Sequence, residues 1–286
     1  MSGSTLLFPV VGRPVTQVQA PAAFNPLFAA CGVDAIVVPL EMPSEGVVRR
    51  VRDLLDSASD GGILVTVPYK KALLEAADRL SARAEAAGAV NSIRRNADGS
   101  LSGDLLDGIG FVAGLRAYGH EPQGRSALIV GVGGAGAVIG AALLESGVRR
   151  LSLFDRDAAV ARALAARLQP LAQGADIVVL DALAGPGQDI VVNATPLGMR
   201  EDDPLPFDPM TLAPATLVVE IIMAPARTRL LAVAAARGCP THPGRPMLDH
   251  QLPAYLDFFA MPEVASEARA RLDRGLAKEP SSETTP

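Results

Sequence analysis

Residues 128–157 read LIVGVGGAGAVIGAALLESGVRRLSLFDRD. An apolar run, Ala127 to Val130, leads into Gly131-Val132-Gly133-Gly134-Ala135-Gly136. An Ala/Leu/Ile-rich stretch follows to Gly147, and a second apolar run, Leu151 to Phe154, ends on Asp155. The pattern predicts strand, glycine turn, helix and strand, with an acid at the end of the second strand. Gly131 permits a tight turn, Gly133 lets the backbone approach a pyrophosphate, and Gly136 lets the helix lie close to the strand. The N–H groups of Gly134 and Ala135 open the helix and face the phosphates. Asp155 lies about 20 residues beyond the last glycine, the spacing at which an acid reaches a ribose 2′-hydroxyl. A bare glycine pattern occurs in ordinary turns; here strand, helix and acid stand in register, so the segment is read as a dinucleotide site.

Asp155 also bears on which dinucleotide. A carboxylate accepts from both ribose hydroxyls and repels a 2′-phosphate, which favours NAD. Arg156 is a guanidinium that can hold a 2′-phosphate, so NADP stays possible.

Working outward, the chain has 286 residues and is 49% apolar, which suits about two domains with sizeable cores. The net charge of −5, with no basic stripe, argues against nucleic acid as a partner. Cys31 and Cys239 stand far apart, and His120, His242 and His250 are scattered, so neither a disulfide nor a metal centre is expected. No apolar run has the length of a membrane span, and the first residues lack a charged, then apolar, leader pattern. The expectation is a cytoplasmic enzyme, monomeric or homodimeric, acting on a small molecule.

Before the glycine turn the pattern predicts strands at 5–12, 34–40 and 63–68, helices at 21–31, 44–57 and 71–87, and a hairpin around Asn96–Gly99. Strands alternating with helices imply a mostly parallel α/β sheet. A helix is expected at 108–117. After it come strands at 127–130, 151–154, 177–180, 190–193 and 217–222, a Rossmann-type arrangement. Further helices are expected at 157–168, 228–237, 247–260 and 262–275. The fold class is therefore α/β: an N-terminal α/β substrate domain (1–107 with 247–276) and a Rossmann-type dinucleotide-binding domain (108–246). A disordered tail is expected at 277–286.

Oxidising an alcohol with a nicotinamide needs a group that takes the hydroxyl proton. A lysine held by a carboxylate suits that task. Lys70, after VTVPY, and Asp107, in GDLLDG, each end an apolar run. Taken singly, the first suits a surface lysine and the second a helix cap.

Several pieces in order alter that balance: Gly12-Arg13-Pro14 with Pro21 and Asn25; Val65-Thr66-Val67-Pro68-Tyr69-Lys70; Gly88-Ala89-Val90-Asn91-Ser92-Ile93; and Gly103-Asp104 with Asp107-Gly108. Then follow the glycine turn, Asn193-Ala194-Thr195-Pro196-Leu197-Gly198-Met199, Pro225 with Thr228, and Gly244 with Met247-Leu248 and Gln251. Over about residues 6–260 the chain resembles the shikimate dehydrogenase family. The resemblance implies reversible hydride transfer between NAD(P)(H) and shikimate/3-dehydroshikimate or a related cyclic hydroxy compound. It implies Lys70 and Asp107 as the catalytic pair, and Thr66, Asn91 and Gln251 as substrate-binding residues. It assigns Asn193, Ala194, Thr195 and Gly244 to the cofactor, with Met247 packed beside the nicotinamide.

The chain departs from that family in one direction. Where the family carries two serines that hold the substrate carboxylate, this chain has Val18 and Ala20. Leu64, Leu105, Leu106 and Met223 also stand at positions that are polar in the family. Losing two charge-assisted hydrogen bonds costs about 3–6 kcal/mol. Either Gln17, Gln19 or Arg13 takes over, or the substrate is less acidic or larger than shikimate. Asp155-Arg156-Asp157 replaces the Asn-Arg-Thr of NADP-using members, again toward NAD. The rival readings are an NAD-dependent quinate/shikimate-like dehydrogenase of another substrate, and a dinucleotide sensor without catalysis.

Overall fold

The computed structural model describes residues 2–56, 61–183 and 187–276. The chain divides into two compact units, Met1–Leu106 with His250–Pro286, and Asp107–Asp249. The expected tail at 277–286 lies outside the described residues.

The first unit contains β1 (Leu6–Gly12), α1 (Ala20–Ala30), β2 (Ala35–Glu41), α2 (Val47–Leu55), β3 (Ile63–Val65), β4 (Arg79–Leu80), α3 (Ala82–Ala87), β5 (Ser92–Arg95) and β6 (Leu101–Asp104). Its sheet runs β2-β1-β3-β5-β6-β4. The expectation of a mostly parallel sheet holds except at β5, since β4 pairs parallel with β6. β1 pairs parallel with β2 and β3, whereas β5 is antiparallel to both β3 and β6. The Asn96–Gly99 hairpin reverses the chain there: Gly99 takes φ +83°, and the Asn96 N–H donates to Ser100 O at 2.8 Å.

The continuous helix expected at 71–87 is also corrected. The chain makes a short 3-10 turn at Ala72–Ala76, then β4, then α3. Asp78 and Ser81 break the helix by capturing backbone donors. The Asp78 carboxylate accepts the Leu101 N–H at 2.8 Å, and the Ser81 hydroxyl accepts the Ala84 N–H at 3.2 Å as the cap of α3. Ala-rich composition favours helix, but these two side chains decide where it starts.

The second unit opens with α4 (Asp107–Ala117). It continues through β7 (Ser126–Val130), α5 (Gly134–Glu145), β8 (Arg150–Phe154), α6 (Ala158–Leu168), β9 (Asp176–Val179), β10 (Ile190–Asn193), β11 (Leu217–Glu220), α7 (Arg229–Ala236), β12 (Thr241–His242) and α8 (Arg245–Asp249). Its six strands are all parallel, in the order β12-β11-β10-β7-β8-β9. This is the doubly wound dinucleotide order, with the switch point between β7 and β10. Leu128, Val130, Val191, Val218, Leu230 and Leu231 pack together on one face.

Two expected boundaries shift. The strand expected over 217–222 ends at Glu220, whose carboxylate accepts the next two N–H groups, Ile221 at 2.9 Å and Ile222 at 3.2 Å. Met247 and its helix belong to the second unit rather than to the C-terminal helices. Gly114 of α4 is so close to Pro246 that a Cβ would stand 3.0 Å from it.

The chain then returns to the first unit as α9 (Gln251–Phe258) and α10 (Pro262–Leu276), where helices were expected at 247–260 and 262–275. Phe259, at the end of α9, packs on Phe8 of β1 with ring centroids 5.0 Å apart, and Phe8 packs on Phe28 at 5.7 Å. These aromatic contacts fasten the chain's last helices under its first strand.

Candidate active site

In the first unit, the end of β1 lies against the Thr66–Lys70 turn. A Cβ on Gly12 would stand 2.4 Å from Thr66 Cγ2 and 2.9 Å from Val67 O, so only glycine permits this approach. The Thr66 N–H donates to Val11 O at 2.9 Å, and the Arg13 N–H donates to Val67 O at 3.0 Å. Tyr69 is buried and its hydroxyl donates to Met42 O at 2.5 Å. That anchor fixes the position of its neighbour Lys70, which is half-buried.

Lys70 is tied in turn to Asn91. The Val90 N–H donates to Lys70 O at 2.8 Å. Asn91 is fully buried; its N–H donates to Asp104 O at 2.9 Å and its carbonyl accepts the Val65 N–H at 2.7 Å. Its side-chain Oδ1 accepts the Leu106 N–H at 2.9 Å. That bond also orients the amide, and it leaves Nδ2 buried without a hydrogen-bond partner. A buried N–H2 donor left unmatched costs about 1–3 kcal/mol, so Asn91 is built to meet an acceptor.

Gln251, at the start of α9, is 7% exposed and donates to the Tyr255 hydroxyl at 3.4 Å. Val18 and Ala20 are half-buried where α1 begins. The three polar residues that could replace the missing serines are engaged elsewhere. Gln17 Nε2 donates to Pro14 O at 3.0 Å, Gln19 Nε2 donates to Gln17 O at 3.3 Å, and Arg13 stands 3.7 Å from Glu41. Asp104, conspicuous in the sequence beside Asp107, is structural: it is 7% exposed, pairs with Arg83 at 2.6 Å and accepts from the Ser81 hydroxyl at 2.5 Å.

In the second unit, Asp107 is the first residue of α4. A Cβ on Gly108 would stand 2.7 Å from Val138 O and 2.7 Å from Ala142 Cβ, so α4 lies directly on α5. Asp107 is thereby fixed to the helix that opens at the glycine turn.

The turn itself fits a dinucleotide. Gly131 takes φ +90°, and a Cβ there would stand 2.6 Å from Thr195 Cγ2. A Cβ on Gly136 would stand 2.1 Å from Gly131 O. Gly133 and Gly134 instead face open space, with nothing within 4 Å of an added Cβ. Ala135 continues α5, whose N-terminus points donors at that opening. The Asp155 carboxylate accepts the Val132 N–H at 3.0 Å and the Asp157 N–H at 3.1 Å, which holds it beside the turn. Arg156 is exposed.

Asn193 ends β10 fully buried. Its Oδ1 accepts from the Thr195 N–H at 3.0 Å and the Thr195 hydroxyl at 2.7 Å, and the Ala194 N–H donates to Val130 O at 2.8 Å. Gly244 backs onto the end of β11, where a Cβ would stand 2.5 Å from Ile222 O. The Met247 N–H donates to Gly244 O at 3.2 Å, and the Met247 side chain is half-buried. The residues assigned to the cofactor therefore gather around the ends of β7, β8, β10 and β11.

A model of the shikimate dehydrogenase substrate binding domain matches residues 10–93. A shikimate dehydrogenase (NADP(+)) of Rubrobacter xylanophilus is 39% identical over 254 residues, covering 88% of this chain and 89% of that one. The chain belongs to the shikimate dehydrogenase family. Among solved structures, the shikimate 5-dehydrogenase of Listeria monocytogenes, in complex with shikimate and NAD, aligns with TM-score 0.84 at 26% identity. The alignment covers 95% of this chain and 98% of that one. A 5-ketofructose reductase of Gluconobacter sp. strain CHM43 aligns with TM-score 0.82 at 26% identity, over 95% of this chain and all of that one. The shikimate dehydrogenase family thus includes the fold seen here, an N-terminal substrate-binding unit followed by a Rossmann-type unit.

Two residues that matter to the site were missed in the sequence. The contact of Gly108 with α5 is visible only in three dimensions. Glu220 ends the apolar run Leu217–Glu220 and is 1% exposed. An acid closing an apolar strand was the available signal. No helix among the described residues is long and apolar enough to cross a membrane.

Proposed function

We propose that the chain interconverts an alcohol and a ketone on a shikimate-like ring, using NAD(P)(H), with Lys70 and Asp107 as the proton-transfer pair. The chain is an NAD(P)-dependent oxidoreductase of the shikimate dehydrogenase type, acting on a CH–OH group. The bound nicotinamide supplies the hydride acceptor or donor. Lys70 Nζ takes the hydroxyl proton during oxidation and returns it during reduction, and the Asp107 carboxylate orients that ammonium. Asn91 and Gln251 bind ring hydroxyls, and Thr66 lines the substrate pocket.

The observation that carries this reading is Asn91. One buried residue links by hydrogen bonds to the segment of Lys70, through its neighbour Val90, and to Leu106, next to Asp107. It also keeps an unmatched donor for a ligand. A sensor of dinucleotides has no need of such an arrangement. Lys70→Ala should still bind cofactor and lose turnover; turnover indifferent to that change would favour the sensor.

Two finer statements belong to the same proposal. The substrate is less acidic than shikimate, or larger, because Val18 and Ala20 offer no side-chain donor and Gln17, Gln19 and Arg13 are otherwise engaged. The 5-ketofructose reductase that shares the fold is named for a substrate without a carboxylate. Initial rates with shikimate, quinate and carboxylate-free cyclic polyols test this directly. Val18→Ser with Ala20→Ser should raise shikimate kcat/KM at least tenfold, and no gain from the double change would sink the carboxylate argument. The preferred cofactor is NAD, on the strength of the Asp155 carboxylate at the ribose position. The curated relative of Rubrobacter is an NADP(+) enzyme, and higher kcat/KM with NADP would assign Arg156 to the 2′-phosphate instead.

A further inference from the structure

Glu220 ends β11 and is 1% exposed, yet every group around it that donates a hydrogen bond to it is neutral. Its Oε1 accepts the Ile221 N–H at 2.9 Å and the Ile222 N–H at 3.2 Å. Its Oε2 accepts the Thr228 hydroxyl at 3.1 Å. Asn193 Nδ2 is shared between both oxygens, each at 3.1 Å, and also donates to Leu197 O at 3.0 Å. A carboxylate buried among neutral donors is a costly way to fill space, since an apolar side chain of similar volume would avoid the desolvation. What the carboxylate provides is four acceptor directions from one point.

Those directions reach three segments. Through Asn193 they reach the end of β10, and Asn193 Oδ1 then sets the Thr195 backbone and hydroxyl. Thr195 abuts Gly131, the first glycine of the dinucleotide turn. Through Ile221 and Ile222 they fix the stretch on which Gly244 rests. Through Thr228 they fix the cap of α7, whose hydroxyl also accepts the Leu231 N–H at 3.4 Å. Gly198, at φ +114°, packs on Ile222 and Thr228, so the loops after β10 and β11 lie against each other. Beyond that contact they open into a cavity of about 750 Å³, lined in part by Leu197, Met199, Pro225 and Leu230.

We propose that Glu220 is a positioning residue for the cofactor: its buried carboxylate bolts the loop after β10 to the loop after β11 and so holds the wall of the dinucleotide site that runs from Gly131 through Thr195 to Gly244. It touches neither substrate nor nicotinamide and acts through Asn193 and the Ile221–Ile222 backbone. The inference rests on the dinucleotide reading of the second unit.

Glu220→Gln keeps the volume and replaces one acceptor oxygen by a donor. Nε2 can face Thr228, whose hydroxyl then reverses, but Asn193 loses half of its acceptor. Glu220→Asp keeps the carboxylate on a shorter arm. Cofactor Kd, measured by nicotinamide fluorescence with NADH and NADPH, should rise at least tenfold in Glu220→Gln and by clearly less in Glu220→Asp. The substrate KM at saturating cofactor should stay within about threefold of wild type in both. Should Glu220→Gln fail to fold, Thr228→Val removes one donor from the same carboxylate and should raise cofactor Kd in the same direction by a smaller factor. Cofactor Kd unchanged in whichever variant folds would overturn the proposal, as would cofactor Kd and substrate KM rising together in equal proportion. Wild-type protein that binds neither NADH nor NADPH would instead overturn the dinucleotide reading itself.

Discussion

Asn91 Oδ1 accepts the Leu106 N–H at 2.9 Å, and this one bond joins the residue that precedes β5 to the residue that precedes Asp107. Its neighbour Val90 donates to Lys70 O at 2.8 Å, so the residues on either side of this bond lie next in sequence or hydrogen-bonded to the two that the family resemblance pairs. The same amide keeps Nδ2 for another partner.

Asn91→Ala should therefore have two separable effects. The Leu106 N–H, left buried without its acceptor, costs about 1–3 kcal/mol, which lowers Tm by several degrees. If Nδ2 meets a substrate hydroxyl as proposed, its loss should raise substrate KM about tenfold while cofactor Kd stays near the wild-type value. Thermal unfolding and steady-state kinetics at saturating cofactor measure both. Wild-type Tm together with wild-type substrate KM would remove Asn91 from the site.

Gly108 makes a second prediction, about Asp107. An added Cβ would stand 2.7 Å from the Val138 carbonyl oxygen, a backbone atom that cannot rotate away. In Gly108→Ala α4 must lift off α5, an overpacking cost of about 1–3 kcal/mol. Asp107, one residue earlier, moves with the helix. We expect a lower Tm and a fall in kcat larger than any change in cofactor Kd. Gly275→Ala serves as the control: it sits in α10 with nothing within 4 Å of the added Cβ, so Tm should hold or rise slightly. Equal behaviour of the two variants would mean that the α4–α5 contact does not position Asp107.

The glycine turn, the strand after it and Asp155 were legible in the sequence because each announces itself locally: the glycines by the conformations they allow, the strands by uninterrupted apolar runs. Other features depend on partners distant in sequence. The stretch 71–87 has helical composition, yet Asp78 meets Leu101, which no window of neighbouring residues contains; the Ser81 cap on Ala84 is the local part of that break. Asp104 and Asp107 look equivalent in GDLLDG; Arg83 takes the first and leaves α4 to begin with the second. Glu220 reads as an acid at a strand end until Asn193, Ile222 and Thr228 close around it.

Burial pushes the Glu220 carboxyl above the ordinary glutamate range, and the hydrogen bonds from Asn193, Ile222, Thr228 and Ile221 pull it back only in part. The sign of the pH effect follows. A carboxyl whose folded-state pKa exceeds its unfolded value binds its proton more tightly when folded. The stability gained from that proton is present below the unfolded value and is lost as pH rises through the folded one. Glu220→Gln carries no such proton. The Tm of Glu220→Gln minus that of wild type should therefore become more favourable to the variant as pH rises from about 4 toward neutrality. A difference that stays flat across that range, or moves the other way, would mean that Glu220 is not held above its ordinary range.

The last prediction concerns the adenosine end of the dinucleotide site. Asp155 holds the turn by accepting the Val132 N–H, and Asp157 caps α6 by accepting the Ala159 N–H at 2.9 Å. A change of cofactor preference must keep both structural acceptors while removing negative charge. Asp155→Asn with Asp157→Thr keeps these two: the asparagine Oδ1 can still accept from Val132, and threonine is a good helix cap; the one acceptor lost is that for the N–H of residue 157, which Asp155 meets at 3.1 Å. The two substitutions change the local charge by about two units beside Arg156, which then faces a 2′-phosphate without competing carboxylates. The ratio of kcat/KM for NADP to that for NAD should rise at least a hundredfold, with Tm within a few degrees of wild type. If the wild type already prefers NADP, and the double variant changes the ratio by less than about threefold, Asp155 acts only as a support for the turn and Arg156 alone selects the cofactor.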